Sequence, residues 1–296
     1  MLNGKKTIGV VGPGYVGQGI IRLFKDQIQA VYSPSGNSVP EEFKHEFEHK
    51  GIEYGVRDTK EAINACDLIV LAVPTPMSEN GECDLVHVLE TLSWLREDAL
   101  VLIKSTIIPG TTKMLQAKYP KMKIAFSPEY MGEGNYFTPF WKYPDPKEMK
   151  YHSFQIFGGI RSATNDIVNI FQRVMGPHVF YAQTDSKIAE FVKYMENVWG
   201  AMKVTWANEM FEAARVHGVD YIEARELWAL DSRVEKMHTA VFPDKRGFSG
   251  KCFPKDVRAF IEATKKLGYN PKLLSQVWNT NIQWHEEFKP IEDGKE

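Results

Sequence analysis

The chain has few cysteines, no long apolar run and no surplus of charge, and each shortage argues against a class of protein. Its three cysteines, Cys66, Cys83 and Cys252, are odd in number and never close-paired. That argues against a disulfide framework and against a zinc site or other metal centre. No apolar run reaches the length of a bilayer span, so no membrane partner is expected. A formal net charge of −2 provides no basic field for nucleic acid. The N-terminus, MLNGKKTIGVVGPG, passes from two lysines straight into a strand and a glycine turn. A signal peptide needs a longer apolar stretch and a cleavage site, so a cytoplasmic protein is expected. What is present is ordinary: 296 residues, 43% apolar and 25% charged, enough for two domains with a sizeable core.

The first half alternates strand-like and helix-like segments, which predicts an α/β fold, a doubly wound parallel sheet of the Rossmann type. Strands are expected at Lys6 to Val11, Ile28 to Tyr32, Leu68 to Val73, Ala99 to Lys104, Lys123 to Phe126, Phe154 to Phe157 and Val179 to Ala182. From about Thr184 the texture changes. Apolar residues recur at helical spacing (Ile188, Phe191, Val192, Met195, Val198, Trp199, Met202) with no proline before residue 218. The pattern predicts one helix of about 30 residues, or about 45 Å. Further helices are expected near Ile222 to Glu235, Lys255 to Leu267 and Lys272 to Phe288. The resulting division is a dinucleotide-binding domain over 1–183, a long connecting helix and smaller all-helical domain over 184–290, and a polar tail over 291–296.

Gly12-Pro13-Gly14-Tyr15-Val16-Gly17 fits the G-x-G-x-x-G pattern between a strand and a helix. In that context the first glycine allows the turn, the second lets a pyrophosphate approach, and the third lets helix and strand pack closely. The helix N-terminus offers its N–H groups to the phosphates. An acidic residue normally ends the second strand to bind the ribose; here that place holds Tyr32, Ser33 and Pro34. The following SPSGNS segment has no arginine for a 2′-phosphate. NAD is the expected cofactor, with NADP not excluded.

Lys193 and Asn197 sit four apart on the long helix and share a face with Glu190. Two readings stay open: a solvated polar stripe, or a lysine and a carboxamide aimed at a substrate oxygen. Cys252 lies in GFSGKCFPKD, where Pro254 suits the first turn of a following helix. A helix N-terminus and nearby lysines favour the thiolate, which makes Cys252 a candidate nucleophile with Asp256 in reach of a proton or water. KSTIIPGTT, from Lys104, and SPEYMGEG, from Ser127, each follow a strand at the sheet edge where ligands bind. Glu129 and Glu133 in the second are candidates for acid–base work or hydroxyl binding.

GPGYVG, AVPTP, KSTIIPGTT, SPEYMGEG, AEFVKYMEN and GFSGKCFPKD occur in the order seen in the UDP-glucose/GDP-mannose dehydrogenase family. The chain resembles that family over roughly residues 7–288. The resemblance implies an NAD-dependent, four-electron oxidation of a nucleotide sugar at C6, alcohol to carboxylate, of the UDP-glucose to UDP-glucuronate type. Cys252 would be the nucleophile, forming a thiohemiacetal and then a thioester. Lys193 and Asn197 would stabilise the oxyanions. Asp256, with Thr106 and a water, would assist proton transfer, and Glu129 would act as acid or base in hydrolysis. Val73, Pro74, Thr75, Thr106, Glu133 and Lys255 would lie along the cofactor. Tyr130, Gly247 and Phe248 would line the sugar site together with Glu129, Lys193 and Asn197. A homodimer through the long helix is also implied.

The chain departs from the family pattern at Ser33, at Ser249 in place of a glycine, and in YPDPKEMKYHSF where a PDR-like segment is usual. The family also carries a further α/β domain that binds the nucleotide diphosphate, so a separate chain supplying it is an expected partner. Two other readings remain: a two-electron dehydrogenase of a smaller hydroxy acid or polyol, similar to the β-hydroxyacid dehydrogenases, and a non-catalytic dinucleotide-binding subunit.

Overall fold

A computed structural model describes residues 5–33, 59–131 and 149–287 of the chain. Its strands are Ile8–Val11 (β1), Ile28–Tyr32 (β2), Leu68–Leu71 (β3), Leu100–Ile103 (β4), Lys123–Phe126 (β5), Phe154–Gly159 (β6) and Phe180–Thr184 (β7). In β1, β3 and β4 every residue is buried. These strands read as unbroken apolar runs because both faces of a parallel sheet are covered by helices.

The strands form one sheet in the order β2-β1-β3-β4-β5-β6-β7. Pairing is parallel from β2 through β5. β6 then runs antiparallel to β5 and parallel to β7. The doubly wound, Rossmann-type parallel sheet expected from the sequence is present, and the reversal at β6 is a detail that periodicity does not carry, because an apolar strand reads alike in either direction. Strand order reverses between β2-β1 and β3, which makes the carboxyl ends of β1 and β3 the place where such folds bind ligands.

Helices cover both faces of the sheet. On one, Ile20, Ile21 and Phe24 of Tyr15–Phe24 (α1) share a core with Val10, Val70 and Leu102. Ile167, Ile170 and Phe171 of a later helix join this core. On the other face, Ile63 of Lys60–Asn64 (α2), Val88 and Leu92 of Val86–Trp94 (α3) and Leu115 of Thr111–Lys118 (α4) pack over Ile69, Val101 and Ile103. The helix that completes the first face is Arg161–Met175 (α5), whose Phe171 meets Phe24 and Phe157 edge-on at 5.1 and 5.0 Å between ring centres.

The long helix is Ser186–Val216 (α6), 31 residues. It is followed by Tyr221–Trp228 (α7), Phe253–Lys266 (α8) and Lys272–Glu287 (α9). α7 stops seven residues short of the expected end at Glu235. Beyond it the Asp231 carboxylate accepts from the Arg233 backbone N–H at 3.0 Å, a local turn that competes with the helix. Val198, Ala201, Phe248, Val257, Ile261 and Val277 form a separate core for this helical part.

The chain divides into two compact units, Met1–Pro76 with Asp84–Lys193, and Met77–Cys83 with Tyr194–Glu296. The first holds the sheet and the second the helical core. No described helix is long and apolar enough to cross a membrane. Among the described residues no group of three or more His, Cys, Asp or Glu side chains could hold a metal ion.

Candidate functional site

In the first unit the glycine turn lies between β1 and α1. Gly12 has φ +89°, and a Cβ there would stand 2.7 Å from the Ala72 carbonyl oxygen. At Gly17 a Cβ would stand 2.2 Å from the Gly12 carbonyl oxygen, so the turn closes only without side chains. At Gly14, by contrast, a Cβ would meet nothing within 4 Å. Tyr15 and Val16 begin α1, whose first turn has no acidic residue and no side-chain cap. The helix thus begins at an exposed glycine, an arrangement that suits a pyrophosphate. Ser33 follows β2 and is half-buried.

The loops after β3 and β4 are tied to each other at the same sheet edge. The Thr75 hydroxyl donates to the Thr106 carbonyl at 2.7 Å, and the Ser105 hydroxyl donates to the Val73 carbonyl at 2.7 Å. Val73 and Thr75 are buried while Pro74 is exposed. This places Val73, Pro74, Thr75 and Thr106 together beside the glycine turn, at the carboxyl ends of the strands. Glu190 fixes the far end of the second loop. Its carboxylate accepts from the Gly110 N–H at 2.5 Å and the Thr112 N–H at 2.7 Å, capping α4. Burial pushes the Glu190 carboxyl above its ordinary value, although the loop N–H groups and the Thr112 hydroxyl oppose it.

After β5 the chain turns through Ser127, Pro128, Glu129 and Tyr130. The Glu129 carboxylate is buried and lies 3.0 Å from the Lys104 ammonium, itself almost fully enclosed at the end of β4. The other carboxylate oxygen accepts from the Tyr130 and Met131 backbone N–H groups at 2.9 and 3.0 Å. Burial raises the Glu129 carboxyl, but Lys104, His152 and the Tyr130 N–H together hold it below the usual carboxylate range. The Lys193 ammonium donates to the Glu129 backbone carbonyl at 2.6 Å and lies 5.8 Å from the Tyr130 ring centre. Glu133 lies outside the described residues.

In the second unit Cys252 is the N-cap residue of α8, with Pro254 in the first turn as the sequence indicated. One turn on, the buried Asp256 carboxylate accepts from the Asn197 amide at 2.5 Å and from the Lys255 ammonium at 2.5 Å. Lys193, Asn197 and Glu190 are thus each engaged by a particular partner, and α6 carries no solvated stripe at these positions. The Cys252 loop reaches α6 where the helix has no side chain: a Cβ on Gly200 would stand 2.5 Å from Cζ of the Phe253 ring.

Two residues that sequence reasoning missed hold this loop. The Asn281 side chain, buried on α9, accepts from the Phe248 N–H at 2.6 Å and donates to the Phe248 carbonyl at 3.1 Å. Gly247 beside it has φ +76° and would place a Cβ 2.4 Å from the Asn281 amide oxygen. The buried Arg246 donates to the Asn208 side-chain and backbone oxygens at 2.8 and 3.1 Å and pairs with Glu212 at 2.8 Å. A polar residue in the apolar stripe Val277, Asn281, Trp284 was the available signal for Asn281.

Comparison with known proteins places the chain in a family. Residues 41–144 match the model of the UDP-glucose/GDP-mannose dehydrogenase family NAD binding domain, and residues 187–283 match that family's central domain. The chain is 28% identical over 308 residues to the UDP-glucose 6-dehydrogenase TuaD of Bacillus subtilis, covering 93% of this chain and 63% of the relative. It is 29% identical over 257 residues to the GDP-mannose 6-dehydrogenase of Pseudomonas putida, covering 80% and 56%. Among solved structures, a UDP-glucose dehydrogenase from the archaeon Pyrobaculum islandicum shares the fold with a TM-score of 0.76 at 24% identity, covering 97% of this chain and 70% of that one. The chain spans about 52–63% of the length of the curated relatives it matches first.

Proposed function

The chain belongs to the UDP-glucose/GDP-mannose dehydrogenase family, and from that premise we propose that it is an NAD-dependent nucleotide-sugar 6-dehydrogenase. The observation that carries the reading is the placing of Cys252 at the N-terminus of α8, one turn from an Asp256 that is itself bound by Asn197. A helix N-terminus favours a thiolate, and a thiol is what a four-electron route needs to hold its aldehyde.

The N-terminus of α1, the open face of Gly14 and the Val73–Thr75 and Thr106 loops are the groups that would hold NAD. NAD supplies a hydride acceptor for C6 of the sugar. In this reading the Cys252 sulfur bonds to the aldehyde carbon, and the alkoxide oxygen of the adduct is stabilised by Lys193 and Asn197, one turn apart on α6. Loss of a second hydride from the adduct carbon, to a second NAD, would leave a thioester. Water then adds to its carbonyl carbon, the C–S bond breaks, and the carboxylate departs from a regenerated thiolate. Asp256 and Thr106 keep the proton-transfer role given by the family resemblance. Lys255 keeps the cofactor side, and Tyr130, Gly247 and Phe248 the sugar side.

Association fits the same reading. Ile188, Phe191, Met195, Trp199, Trp206 and Met210 are exposed at intervals of three, four or seven along α6, which keeps them near one face. An exposed apolar stripe of this kind suits a symmetric homodimer. The family resemblance implies that the nucleotide diphosphate end of the substrate would be bound by a further α/β domain or a partner chain.

The test is NADH formation with UDP-glucose, GDP-mannose and their N-acetylated counterparts, counted against substrate consumed. Two NADH per sugar are expected. One per sugar would replace this reading with the two-electron dehydrogenase, and cofactor binding without turnover on any substrate would replace it with a non-catalytic subunit.

A further inference from the structure

Helix α4 begins without a cap of its own. Its N-cap residue is Gly110, with φ +103° and no side-chain hydrogen bond, and the first turn has no acidic residue. The ordinary local solution is a serine, threonine, aspartate or asparagine. Here the Gly110 and Thr112 N–H groups are received by the two oxygens of Glu190, 80 and 78 residues further along the chain. That carboxylate is fully buried, which costs a desolvation that a local hydroxyl would avoid.

The remote cap does what a local one could not. Glu190 lies one turn before Lys193 on the same face of α6. The α6 turn that bears it is itself fixed. Ala189 is enclosed in a core with Ile103, Ile107 and Leu115, and a Cβ on Gly158 of β6 would stand 2.5 Å from the Ala189 Cβ. The segment 104–112 is tied at its start to the loop after β3, by Ser105 to Val73 and by Thr75 to Thr106. At its end it is tied to α6 by Glu190. The segment bearing Thr106 is thus held between the cofactor-side loop and the helix bearing Lys193. With both oxygens taken and no exposure, Glu190 acts through its neighbours.

We propose that Glu190 is a positioning residue for hydride transfer, a clamp that sets Lys193 on α6 against the cofactor-side segment bearing Thr106. The proposal rests on the function given above, in which Lys193 meets the alkoxide oxygen and Thr106 lies along the cofactor. Near-attack geometry is steep in distance, so a clamp between these two walls acts on the rate more than on cofactor affinity.

Glu190→Gln tests this with almost no change of shape. The amide oxygen still accepts one N–H, but the amide nitrogen meets the other donor to donor. Amide hydrogen exchange at Gly110 and Thr112 should speed up by about tenfold or more. NADH should bind in the same number of sites and within about threefold of the parent affinity, because the glycine turn is untouched. The first hydride transfer, followed in a single turnover, should slow by about tenfold or more. With a sugar deuterated at C6, the isotope effect on steady-state turnover should grow. Glu190→Asp, which keeps both acceptors on a shorter stem, supplies a second point, and its exchange and hydride-transfer rates should change together.

Unchanged exchange at both amides overturns the clamp. Faster exchange with hydride transfer within about twofold of the parent leaves Glu190 a cap of α4 alone and also overturns the proposal. So does a loss of NADH sites with an unchanged rate at each remaining site, the mark of a merely structural residue. A parent protein that oxidises no nucleotide sugar overturns the proposed function, and exchange at Gly110 and Thr112 then decides the clamp by itself.

Discussion

Replacing Gly200 by Ala tests the packing that brings the Cys252 loop to the long helix. In a helix interior an alanine is worth about 1 kcal/mol more than a glycine, so a helix with nothing against it would gain that much. Here the new methyl would stand 2.5 Å from Cζ of Phe253 and 3.1 and 3.2 Å from the two neighbouring ring atoms. The ring would have to retreat by about 1 Å to reach ordinary contact. It is not a loose end: it meets His238 edge-on at 5.3 Å and Phe248 at 6.5 Å. Overpacking of this kind costs about 1–3 kcal/mol, so the net effect is a loss of about 0–2 kcal/mol where propensity alone predicts a gain. Phe253 is bonded to Cys252, and a displacement of about 1 Å at a reacting group can cost about a hundredfold in rate. Denaturant melts should show no gain in stability, and kcat should fall by about tenfold or more. A variant that is about 1 kcal/mol more stable and fully active would refute the close approach of the loop to α6.

Other perturbations follow from the same geometry. Gly17→Ala puts a Cβ 2.2 Å from the Gly12 carbonyl oxygen and should weaken NADH binding, followed by its fluorescence, by about tenfold or more; unchanged affinity would remove the glycine turn from the cofactor site. Burial, with Lys203 adding and Glu235 opposing, pushes the His238 imidazole from 6.5 down to about 4. The unfolded chain therefore takes up a proton near pH 6.5 that the folded one accepts only near 4, so stability present above 6.5 is lost as pH falls through this window. His238→Gln should flatten that part of the stability–pH curve, and an unaltered slope would contradict the assignment. Trp206→Glu, on the exposed stripe of α6, should shift sedimentation toward a monomer, whereas a parent protein that is already monomeric would remove the proposed dimer.

The sheet was largely legible in the sequence because its central strands, IGVV, LIVL and LVLI, are buried on both faces and read as unbroken apolar runs. The antiparallel direction of β6 was not, since periodicity carries no sense of direction. The long helix was found by its spacing, but the reason for its one glycine lies 53 residues later, in the ring of Phe253. Motifs named Lys193, Asn197, Cys252 and Asp256 singly; only the fold joins Lys193 to the Glu129 carbonyl and Asn197 to the Asp256 carboxylate. Lys104 and Glu129 lie in the segments just after neighbouring strands, β4 and β5, so their pairing becomes accessible once strand order is known. Asn281 and Arg246 stayed hidden because a single polar residue in a helix or loop looks solvated until its burial is seen.

The most direct test of the central claim is the mass of the intact protein quenched during turnover with NAD and a nucleotide sugar. The account predicts a covalent sugar adduct that maps to Cys252, forms and decays on the timescale of turnover, and is absent in Cys252→Ser, which should also stop at or before the aldehyde. Full four-electron oxidation by Cys252→Ser, with no adduct in the parent protein, would contradict it.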